Sequence, residues 1–65
     1  MRTEKEYAQY LYDRTKSTLG LYKKEHIILI SCMGLESMIE IAKENNLSSR
    51  VSYLNKVKEE LKELA

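Results

Sequence analysis

The chain contains no proline, no phenylalanine and no tryptophan, and its only glycines are Gly20 and Gly34. Hairpins and β-meanders therefore lack the turn chemistry they need, and helix is left as the default. Cys32 is the sole cysteine, so no internal disulfide can form, and its apolar neighbours read it as a small buried residue of a reducing compartment. His26 is the sole histidine. It lies about 240° from Cys32 on a helix, which prevents shared metal ligation, and no other His or Cys exists to complete a site. Strong charge of either sign is also missing, because eleven basic residues stand against ten acidic ones. A net of +1 is far from the basic excess of an electrostatic nucleic-acid binder.

Chemistry is equally sparse. There is no glycine-rich phosphate loop, and the one imidazole sits beside Lys24 and Glu25 in a charged segment without an adjacent nucleophile. The carboxylate pairs Glu36 with Glu40 and Glu59 with Glu63 lie at i,i+4 on hydrophilic faces, where solvated repulsion is the simple reading. No catalytic, cofactor-binding or metal-ligating residue is expected, and the chain is not read as an enzyme. The apolar run from Ile27 to Leu35 is interrupted by Ser31 and Gly34 and is too short to cross a bilayer. No apolar leader segment follows Met1-Arg2-Thr3-Glu4. The expectation is a soluble, cytoplasmic protein with no membrane partner.

What is present is periodicity. Apolar residues make up 43% of the chain and charged ones 32%, and the apolar ones recur at helical spacing, which argues for a folded domain. Thr3 and Glu6 have capping-box spacing, and Tyr7, Ala8, Leu11, Tyr12, Thr15, Thr18 and Leu19 share one side of the helix that follows. In the last third, Val51, Leu54, Val57, Leu61 and Leu64 form a narrow three-and-four stripe suited to a helix-helix seam. Asn45 to Ser49 separate that helix from its predecessor with residues suited to a C-cap and then an N-cap. The pattern predicts an all-α, single-domain chain over 1–65 with three helices at about 3–19, 23–45 and 49–64. Whether the chain bends at Gly20 or stays helical is open at this point. The apolar faces of 7–19 and 27–42 would lie roughly 180° apart on an unbroken helix, so a bend lets them meet within one chain, and a continuous helix implies a swapped dimer.

The middle helix is the most apolar. Ile27, Ile28, Ile30, Cys32, Gly34, Leu35, Met38, Ile39, Ile41 and Ala42 fill an arc of roughly 200°, so this helix is expected to be sandwiched between neighbours. Leu29 and Met33, one turn apart, fall on its otherwise polar side. A core of this size rarely supplies more than ~3 to 5 kcal/mol, and with disulfide and metal absent, oligomerisation or docking to a partner is what remains. Tyr10 lies outside the main stripe of its helix and close in phase to Leu21. Tyr10, Leu21, Leu29 and Met33 are accordingly the protein-interface candidates. The expected role is a non-enzymatic helical interaction module, an adaptor or inhibitor type of regulator, pairing with itself as a homodimer and open to a partner protein.

An alternative rests on residues 38–56. Ile41-Ala42 looks like the apolar and small pair in the first helix of a DNA-binding helix-turn-helix, and Leu47 followed by Ser48-Ser49-Arg50 looks like the turn entering its recognition helix. The resemblance implies that Ser49, Arg50, Ser52, Tyr53 and Lys56 face the major groove. Nucleic acid stays the lesser expectation, because the last helix also carries Glu59, Glu60 and Glu63.

Overall fold

The first helix, α1 (Glu4–Leu19), starts as the Thr3 to Glu6 spacing predicts. The Thr3 hydroxyl accepts the Glu6 N–H at 3.1 Å, and the Glu6 carboxylate accepts the Thr3 N–H at 2.9 Å. These hydrogen bonds, the backbone one first, hold the Glu6 carboxyl below its usual value of 4.5. A depressed carboxyl stabilises the fold above its unfolded pKa, and that contribution is lost as pH falls through the folded value. Thr3→Ala should lower stability by about 1 kcal/mol. Glu6→Gln should flatten the loss of melting temperature below pH 4.5, and melts at neutral and acid pH check both.

The computed structural model describes residues 2–64, so Met1 and Ala65, the ends of the expected domain, lie outside the described residues. It contains two further helices, α2 (Lys24–Glu44) and α3 (Ser48–Glu63). Gly20 ends α1 at φ 63°, a left-handed conformation that glycine alone adopts without strain, with its N–H bonded to the Lys16 carbonyl. The chain therefore bends, and the two opposed apolar faces meet in one bundle. Asn46 makes the second corner at φ 57°. There the Leu47 N–H returns to the Ala42 carbonyl at 2.9 Å, and the Asn45 side-chain amide donates to the Ile41 carbonyl at 2.8 Å. This tight reversal starts α3 at Ser48, one residue before the expected position. Leu47 occupies the N-cap with no side-chain bond, so neither Ser48 nor Ser49 caps the helix.

Each helix packs against the other two. Ala8 of α1 meets Ile28, Cys32, Leu35 and Ile39 of α2 and Leu54, Val57 and Leu61 of α3 in one core. The last helix buries the central part of its predicted stripe, with Val51 and Leu64 half-buried at its ends. On α1 the predicted face turns inward through Thr15, but Thr18 and Leu19 remain exposed because the chain leaves the bundle at Gly20. Ser31, the one buried polar residue among the described residues, donates from its hydroxyl to the Thr15 hydroxyl at 3.1 Å and ties α2 to α1. Burial pushes the Cys32 thiol above its usual value, against the opposing pull of Lys58 and Lys62. Among the described residues, no helix is long and apolar enough to cross a membrane.

Candidate interaction site

Closure of α1 onto α3 leaves the far side of α2 uncovered. Leu29 is 60% exposed, Met33 58%, Ile41 60% and Ile30 38%. Ile30, Gly34 and Ile41, three members of the broad apolar arc, thus lie at its open edge, beyond the reach of the flanking helices. With Ser37 they form a stripe at spacings of four, three and four, the pattern of a coiled-coil seam. The Ser37 hydroxyl donates to the Met33 carbonyl at 3.4 Å, so its polar hydrogen is spent within its own helix. Space above Gly34 is open: a Cβ built there meets nothing within 4 Å. Along one flank, Glu40 pairs with Lys43 at 3.8 Å and Glu36 with Lys58 at 3.0 Å, so the acidic residues beside the stripe have cations at hand.

The four interface candidates fall in three places. Leu29 and Met33 share the open α2 face, whereas Leu21 is half-buried in the connection after Gly20. Tyr10 belongs to a separate cluster between α1 and α3. Tyr7 stacks on Tyr10 at 6.2 Å and on Tyr53 at 6.1 Å between ring centroids. The Arg2 guanidinium lies 4.1 Å from the Tyr10 ring centroid, and Arg14 donates to the Tyr10 hydroxyl at 3.3 Å. Burial, followed by the charge of Glu4, pushes the Tyr53 phenol above its usual 10 and keeps it a donor. It donates to the Arg2 carbonyl at 2.8 Å. The periodicity of α1 marks Tyr10 and Arg14 as i,i+4 neighbours. It carries no signal that α3 brings Arg50 and Tyr53 beside them.

Of the residues implied by the helix-turn-helix resemblance, Ser49, Arg50, Ser52 and Lys56 are exposed on α3. Tyr53 is turned onto Tyr7 and tied to the backbone before α1 at Arg2. Among the described residues, no group of three or more His, Cys, Asp or Glu could hold a metal ion. No protein-family model, curated protein or solved structure matches the chain.

Proposed function

We propose that the protein is a non-enzymatic helical interaction module that pairs with a second copy of itself through the open face of α2, in the manner of a small adaptor or inhibitor. The observation that carries this reading is Gly34. A glycine inside a helix costs about 1 kcal/mol relative to alanine, and here the isolated fold gains nothing in return, because the space above it is empty. Close approach of another helix gives it a purpose. The stripe also reads the same from both ends: isoleucine, small, small, isoleucine. An antiparallel two-fold contact then sets Ile30 against the partner's Ile41 and Gly34 against the partner's Ser37, as a self-complementary interface requires.

Area supports the same conclusion. The four exposed apolar side chains of α2 leave a patch on the order of 400 Å² per copy. Two such patches, with a polar rim, reach the lower end of a standard interface at about 1,200 Å².

Gly34→Ala separates this reading from a decorative glycine. In the single chain it should raise the melting temperature by roughly 5 °C, because the new methyl has room. Across the pair it should weaken association by roughly tenfold through crowding. Sedimentation at micromolar concentration reads the second effect, and a wild-type particle of 7.6 kDa under those conditions would overturn the proposal.

A further inference from the structure

Arg2, Tyr7, Tyr10, Arg14, Arg50 and Tyr53 line an open cleft of about 530 Å³ between α1 and α3. Three cations and three phenol rings converge there, and no carboxylate lines the cleft. Among the described residues, the ion pairs are Lys43 with Glu40 and Lys58 with Glu36, so none of the three guanidiniums is neutralised by a salt bridge. No carboxylate of the described residues lies within ion-pair distance of them, although Arg2 acts on Glu6 from farther away, and guanidiniums lining one cleft are natural partners of an anion. Local structure fixes the α1 side and Tyr53. Tyr7, Tyr10 and Arg14 share one face of α1 at i, i+3 and i+7, the capping box fixes the backbone that carries Arg2, and the Tyr53 hydroxyl bonds to that same backbone.

We infer that this cleft binds a nucleoside phosphate, free or as a unit of a single-stranded nucleic acid. Guanidinium groups match phosphate oxygens in pairs, and a base can stack at the Tyr10 ring by taking the place the Arg2 guanidinium now holds over it. The volume lies inside the ~300–1,000 Å³ range of small-ligand sites. Charge bounds the footprint. Glu4 and Glu6 act on Tyr53 from the N-terminal side, and the whole chain carries a net of only +1. One to three phosphates fit that balance, whereas a duplex-binding surface neutralises roughly six to ten. The exposed residues implied by the helix-turn-helix resemblance add only Lys56 as a further cation, so the single strand is favoured over the duplex.

The test is a calorimetric or tyrosine-fluorescence titration of the whole chain with adenosine 5′-monophosphate, adenosine, a single-stranded oligothymidylate of about eight nucleotides and a duplex of the same length. Adenosine 5′-monophosphate and the single strand should bind, adenosine should bind at least about tenfold more weakly, and Arg14→Gln and Arg50→Gln should each weaken both by roughly tenfold. Tighter binding of the single strand assigns the strand as the source, and equal binding assigns the free nucleotide. For the strand, the logarithm of affinity should fall against that of salt with a slope no steeper than about −2, as three neutralised phosphates dictate. Absence of saturable binding below about 5 mM would overturn the inference. So would binding unchanged in both arginine variants, whose helicity serves as the control for folding, or a preference for the duplex.

Discussion

Leu35→Ala is expected to leave the chain largely unfolded at room temperature. Leu35 is 1% exposed and sits where α1, α2 and α3 meet, so its loss removes transfer energy and opens a cavity with few routes to collapse. Leucine-to-alanine changes at such positions cost ~2–5 kcal/mol, and a domain of this size holds about 3–5 kcal/mol in all. Leu54→Ala, which empties the same core from α3, should act alike. Leu29→Ala supplies the control, because the same chemical change on the same helix at a residue 60% exposed should alter the stability of the single chain by no more than about 0.5 kcal/mol. Far-ultraviolet circular dichroism at dilute concentration distinguishes these results. A cooperative melt for Leu35→Ala close to that of the parent would show that the core is less dependent on this side chain than its burial implies.

The second large effect concerns pairing. Ile30→Glu combined with Ile41→Glu should abolish self-association by at least about a hundredfold while leaving helicity intact, since the introduced carboxylates would be desolvated and unpaired in the contact but bathed in water without it. Orientation is tested by Ile30→Glu combined with Ile41→Lys. In an antiparallel pair the two new charges face each other and association should recover at low salt. In a parallel pair like charges would oppose and no recovery would follow. Sedimentation equilibrium on the three chains gives the answer, and an unchanged mass for the doubly acidic variant would remove this face from the contact.

The three helices are legible in the sequence because their faces and most of their ends carry local signals, the uncapped start of α2 at Lys24 excepted. Thr3 and Glu6 announce the start of α1, the Asn45-Asn46 pair marks the second corner, and the spacing of Leu54, Val57 and Leu61 gives the inner side of α3. Periodicity also finds Leu29 and Met33 on the open side of α2. It does not find Ile30 and Ile41 there, because a helical wheel shows which residues share an arc and not how much of that arc two neighbours can cover. The arginine and tyrosine cleft is less visible still. Arg2 and Tyr53 meet across fifty-one positions, and only the packing of α1 on α3 brings them together. At Gly20 the choice between bend and continuation turned on one φ angle, to which composition is blind.

The cleft and the open face of α2 share no helix, and this separation makes the two sites compatible. A self-paired particle would then display the cleft twice, and a flexible strand long enough to reach from one to the other would engage both. The second engagement becomes intramolecular, with an effective concentration set by the length of the spanning segment, and it multiplies avidity by about 10²–10⁴ without a single new contact. Weak grip at each cleft would thereby suffice for durable capture, and disassembly of the pair would release the strand.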